Sequence, residues 1–163
     1  MRFSIMALSV LIGFSGCAEK GAFDMFKMDE AHERSVEQLR TEAIVQSLET
    51  KAIVSTLYLN PIYPEKYNDG EYFVGAFYFA KGNRDLKKWD IYTHGYTLTL
   101  NGKKPTLIEE LKESDPKRSL IPVQNNWNKY YFIRFDHVPE GILTLLLENN
   151  QTGSVALSYQ KGK

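Results

Sequence analysis

From Leu48 to the C-terminus, short runs of β-branched and aromatic residues recur, separated by polar stretches that carry Pro, Asn or Gly. Alternation interrupted every few residues by turn chemistry restricts the chain to a fold built from strands. Glu49 to Leu59 reads as a long strand, ended by Asn60-Pro61. Pro61 to Gly70 is a loop, with Asn68-Asp69-Gly70 as a strong turn signal. Tyr72 to Ala80 is almost continuously apolar, as a central strand should be. Trp89 to Leu100 alternates well at its end, and Asn101-Gly102 is the best hairpin signal in the chain, leading into Lys103 to Leu107. Ile108 to Pro122 is mixed, with a helical turn as one reading of Glu109 to Lys112. Tyr130 to Phe135, Ile142 to Leu147 and Ser154 to Tyr159 read as the last strands.

Ahead of the strands a helix is expected over Asp24 to Gln46. Met25, Met28, Val36, Leu39, Ala43 and Ile44 recur at helical spacing, and Asp24 is a suitable N-cap. The expected fold class is therefore mainly β. It is an antiparallel immunoglobulin-like β-sandwich of about seven strands over 48–163, preceded by one N-terminal α-helix over 24–47. Nineteen Tyr and Phe residues suit pleated sheets.

The first residues have a different character. Met1 and Arg2 precede an apolar run from Phe3 to Phe14, followed by Ser15, Gly16 and Cys17, the only cysteine. Twelve helical residues rise about 18 Å, whereas a bilayer core needs roughly 20 apolar residues. The run therefore reads as the core of a signal peptide over 1–16, with 17–23 as a short tether. Phe14-Ser15-Gly16-Cys17 resembles the lipobox of bacterial lipoproteins, departing from it in having Phe14 where that family most often has Leu. The resemblance implies cleavage between Gly16 and Cys17, a diacylglyceryl group on the Cys17 thiol, and a further acyl chain on the freed amine. One chain binds a bilayer only marginally, whereas two or more anchor stably. Ala18, standing where Asp commonly retains such proteins at the inner membrane, points to the outer membrane, facing the periplasm. The domain itself is similar to small lipoproteins of campylobacter-like bacteria, through Leu48 to Ala52, Tyr58-Leu59-Asn60, Asn126-Trp127 and Tyr130-Tyr131; that likeness implies no activity.

With Cys17 acylated, the domain has no thiol for a disulfide, a metal or a nucleophile, and must hold itself together by packing. Twenty Lys and Arg against twenty Asp and Glu give no net charge, so nucleic acid is not an expected partner. No metal or other cofactor is expected. His32, His94 and His137 do not sit at ligand spacing, and Asp29, His32 and Glu33, though on one helix face, lack a second helix to complete a site. No phosphate-binding loop, nucleophile elbow or dinucleotide motif is present. The acid pairs Glu109 with Glu110 and Glu113 with Asp115 lie among Lys112, Lys117 and Arg118 and read as surface charge.

The candidate binding loop is aromatic. Tyr58, Tyr63, Tyr67 and Tyr72 surround Pro61 and Pro64, and exposed tyrosines bind at low entropic cost. The competing reading buries them as a cap on one end of the sandwich. Arg84, Lys87, Lys88 and Trp89 form a lesser basic and aromatic loop, suited to an acidic glycan or a lipid headgroup. The expected function is a lipid-anchored envelope protein whose sandwich binds or braces an envelope protein or glycan without catalysis. The alternatives are a cell-wall-acting hydrolase and an accessory subunit of an envelope assembly complex.

Overall fold

The strand pattern resolves into two antiparallel sheets. The computed structural model describes residues 30–80, 91, 95–139 and 141–161. Helix α1 (Glu30–Gln38) leads into β1 (Leu39–Gln46) and β2 (Glu49–Tyr58). Strands β3 (Glu71–Phe79), β4 (Thr97–Leu100), β5 (Leu107–Glu110) and β6 (Lys129–Phe135) follow, then the β7 (Gly141–Asn149) and β8 (Gly153–Lys161) hairpin. One sheet runs β1-β2-β3-β6-β5 and the other β4-β7-β8, with every pairing antiparallel. The expected sandwich is thus the observed architecture, with eight strands among the described residues.

β3 is the middle of the large sheet and is buried on both faces. Inward, Phe73 and Phe77 pack with Tyr58, Tyr131, Leu98, Leu145 and Tyr159 between the two sheets. Outward, Val74 and Ala76 pack with Leu57, Tyr130 and Phe132 beneath Leu59, Ile62 and Tyr67 on one side and Leu111 and Ile121 on the other. The large sheet therefore has a second core, roofed by the β2–β3 loop and by the segment between β5 and β6. Burial on both faces is the physical reason the Tyr72–Ala80 run lacks a polar alternation.

Three local expectations are corrected. The helix expected to reach Gln46 ends at Gln38, and Leu39–Gln46 is an edge strand paired with β2; residues 24–29 lie outside the described residues. The apolar positions Leu39, Ala43 and Ile44 suit one helical face; in the strand Leu39 turns to the outer core and Ile44 to the inter-sheet core, and pairing to β2 decides the outcome. The turn joining β1 to β2 is Ser47-Leu48, both with positive φ (51° and 64°), and carries none of the Gly or Asn that marks such turns. Secondly, Asn101 and Gly102 do form a tight turn with φ of 47° and 79°, but only Leu100 and Lys103 bridge across it. The chain then changes sheets, β4 pairing with β7 and β5 with β6. Asn101 extends β4 instead: its Oδ1 accepts from Thr144 N at 2.7 Å and its Nδ2 donates to the Ile142 carbonyl. Thirdly, the turn of helix considered at Glu109 to Lys112 is the end of β5, and a 3₁₀ turn forms later, at Pro116–Leu120, capped by Asp115.

Candidate functional site

The tyrosine loop is built from its neck upward. Asn60 closes it, donating from Nδ2 to the Gly70 carbonyl at 2.6 Å and accepting at Oδ1 from Tyr72 N at 2.9 Å. A side chain on Gly70 would meet the Phe135 carbonyl at 2.6 Å, so β3 can begin this close to β6 only with glycine. Tyr58 points into the inter-sheet core, and Tyr67 is buried beneath its own loop, its ring 5.0 Å from Tyr72 and 6.0 Å from Phe132. Tyr63 and Tyr72 are half-buried against the same cluster. The four tyrosines therefore form no exposed platform; burial is the role the structure gives Tyr58 and Tyr67. Tyr58 and Tyr67 do line one wall of a small cleft with Pro61 and Pro64, facing His137 and Lys161.

Behind that cleft lies the most chemically distinct cluster among the described residues. Glu71 is fully buried. Its Oε2 accepts from the Tyr58 hydroxyl at 2.6 Å; its Oε1 accepts from Lys161 Nζ at 2.6 Å and Val138 N at 2.9 Å. His137 Nδ1 is 3.6 Å from the same oxygen, and Lys161 also donates to the Val138 carbonyl at 2.5 Å. Burial opposes ionisation of Glu71, but the hydrogen bonds from Lys161, Tyr58 and Val138 and the Lys161 charge outweigh it, holding the carboxyl below its usual range. Burial, reinforced by Glu71, pushes the Tyr58 hydroxyl far up. Both carboxylate oxygens are engaged, and the cluster ties β2, β3, the β6–β7 loop and β8 together.

A second site lies on the outer face of the large sheet, where the loop roof ends. Ile121 to Asn128 crosses that face and holds Trp127 out at 69% exposure. Asn125 fixes the loop: its Oδ1 accepts from Trp127 N at 3.2 Å and Asn128 N at 2.9 Å. Its backbone is pinned to the core, since Asn125 N donates to the Tyr130 hydroxyl at 2.8 Å, which in turn donates to the Asn125 carbonyl. Arg118 stacks 4.1 Å over the Tyr130 ring, and Gln124 donates to the Arg118 and Ile121 carbonyls. Trp127 is thus exposed on a backbone held by hydrogen bonds on both sides of Asn126.

Beside it runs an open groove of about 560 Å³, within the size range of small-molecule sites. Ile53, Tyr78, Val123 and Trp127 supply apolar surface; Thr41, Ser55, Asn125 and Asn128 supply hydroxyls and amides. Among the described residues no charged side chain lines it. On the other side of Trp127, a second cleft carries Glu110, Lys112, Glu113, Arg118 and Lys129, so the indole stands between a neutral and a charged groove. Glu113 and Asp115 share a third cleft with Arg118. Asp115 there caps the 3₁₀ turn through Lys117 N and pairs with Lys117 Nζ at 3.7 Å.

Cys17, Gly16, His94 and the Arg84, Lys87, Lys88 and Trp89 loop lie outside the described residues. So do Asp29 and the side chain of His32; Glu33 is exposed. Trp127 was legible in sequence only as part of Asn125-Asn126-Trp127-Asn128, a polar turn cluster carrying one large aromatic. No protein-family model matches the chain, and neither a curated protein nor a solved structure matches it.

Proposed function

We propose that this is a lipid-anchored protein of the bacterial cell envelope whose β-sandwich is a binding module and not a catalyst. The anchoring half of the reading rests on Phe14-Ser15-Gly16-Cys17 after a short apolar run. The binding half is carried by one observation, the exposed Trp127 on a hydrogen-bonded loop beside an open groove. A large aromatic left in water loses the favourable free energy of burial, roughly 1.5–3 kcal/mol for a large apolar side chain. The loop's hydrogen bonds hold the indole in that position beside the groove, which is what an aromatic anchor of a binding site requires. A non-catalytic role accords with Glu71 and Asp115, whose carboxylates are engaged in structural contacts.

Intact mass of the protein extracted from its native membranes tests the anchor. The expected mass is that of residues 17–163 plus a diacylglyceryl group, with or without one more acyl chain. Cys17→Ser should abolish incorporation of labelled fatty acid and leave the leader attached. Undiminished labelling of Cys17→Ser would overturn the lipid anchor.

A further inference from the structure

Taking the binding-module reading as given, we infer that the groove beside Trp127 binds an uncharged saccharide, a pyranose ring stacking on the indole with its hydroxyls met by Asn125 and Asn128. Two chemistries meet in this groove. Ile53, Tyr78 and Trp127 present apolar and aromatic surface, which a purely polar ligand would leave wet. Asn125 and Asn128 line the same space, and among the described residues the Asn125 Nδ2 and the Asn128 side-chain amide have no hydrogen-bond partner. An acyl chain or an apolar peptide face would desolvate those amides without replacing water, at a cost comparable to its gain. A sugar ring satisfies both: its C–H face lies on the indole while its hydroxyls donate to and accept from the amides. Thr41 Oγ1 and Ser55 Oγ, 2.9 Å apart, share one hydrogen between them and keep lone pairs for a further donor.

The absence of charge decides between kinds of saccharide. The neighbouring cleft beyond Trp127 carries Glu110, Lys112, Glu113, Arg118 and Lys129, whereas among the described residues no Lys, Arg, Asp or Glu lines this one. A uronate, sulfate or phosphate group would find no counter-charge among the described lining residues. The hydrogen-bonded backbone of Asn125, Trp127 and Asn128 means that less ordering remains to be done on binding.

The test uses the full-length protein in detergent with Trp89→Phe, which leaves Trp127 as its single tryptophan. Cellohexaose and tri-N-acetylchitotriose serve as uncharged probes and an oligogalacturonate as the charged one. Saturable indole quenching or a blue shift is expected with at least one uncharged probe and not with oligogalacturonate. By calorimetry, Trp127→Ala in the native background should weaken that binding about tenfold or more, and Asn128→Ala should weaken it several-fold with an unchanged unfolding midpoint. Equal affinity in Trp127→Ala, or equal binding of oligogalacturonate, would overturn the inference. So would failure of both uncharged probes. In that last case, envelope extract that still protects Trp127 from acrylamide quenching would leave the binding-module reading standing, and extract that does not would remove both.

Discussion

Glu71 is where a single side chain carries the most consequence. A carboxylate taken fully out of water is tolerable only because Lys161, Tyr58 and Val138 N–H all meet it. Removing one member of such a buried pair costs about 3–5 kcal/mol, so Glu71→Ala should lower the stability of the domain by about that much in urea unfolding at neutral pH. The pH dependence has a definite sign. The folded-state carboxyl lies below its ordinary value, so its contribution is complete above the unfolded value of 4.5 and fades as pH falls through the lower folded value. The stability gap between wild type and Glu71→Ala should therefore narrow on acidification below about pH 4.5 and stay level from there to neutrality; a gap that widens in acid would refute the charge assignment. Gly75 is constrained by space and not by charge. A Cβ there would stand 2.3 Å from the Phe77 ring and 3.2 Å from the Thr56 methyl, both in the inter-sheet layer. Gly75→Ala should cost about 1–3 kcal/mol as overpacking, measured as a lower denaturant midpoint with an unchanged slope.

At the scale of elements, the turn of the β1–β2 hairpin carries backbone strain. Leu48 is fully exposed and, with Ser47, sits in the left-handed region without being Gly or Asn. A non-glycine residue pays about 1–2 kcal/mol for that conformation. Replacing Ser47-Leu48 with Asn-Gly should stabilise the domain by about 1 kcal/mol and raise amide protection in β1. No gain in stability or protection would show that the turn is not the type the positive φ angles describe. The same turn explains why the strand was hidden: a hairpin without turn residues leaves Leu39 to Gln46 to be read by apolar spacing, which suits one helical face. At Asn101-Gly102 the opposite occurs. The turn chemistry is strong and the turn forms, but whether the next strand pairs across it depends on what lies beyond Pro105, where Thr106 and Leu107 join β6 instead of β4.

Across the whole molecule the five-stranded sheet is shared by two cores, one against the small sheet and one beneath the loops. Neither can be lost without stripping a face of β3, so the described domain should unfold in one step. Far-UV ellipticity, near-UV tyrosine signal and Trp127 fluorescence in a Trp89→Phe background should give coincident urea transitions. An early Trp127 transition would mean that the roof over the outer face comes away on its own.

The fold class, the central place of β3 and the β7–β8 hairpin were already set by the sequence read locally. These follow from period, turn residues and a run of apolar side chains, all local quantities. Tertiary structure alone decided that Leu39 to Gln46 is a strand, that the chain crosses between sheets after Gly102, and that Tyr58 and Tyr67 are buried while Trp127 is not. Each depends on which surfaces meet after the chain has returned upon itself: an edge of β2 that accepts β1, a face of β3 that needs a roof, and a loop whose roof stops short of one indole. Burial is a property of neighbours far apart in sequence, which is why a cluster of tyrosines announced a site more loudly than Trp127, which the fold leaves in water.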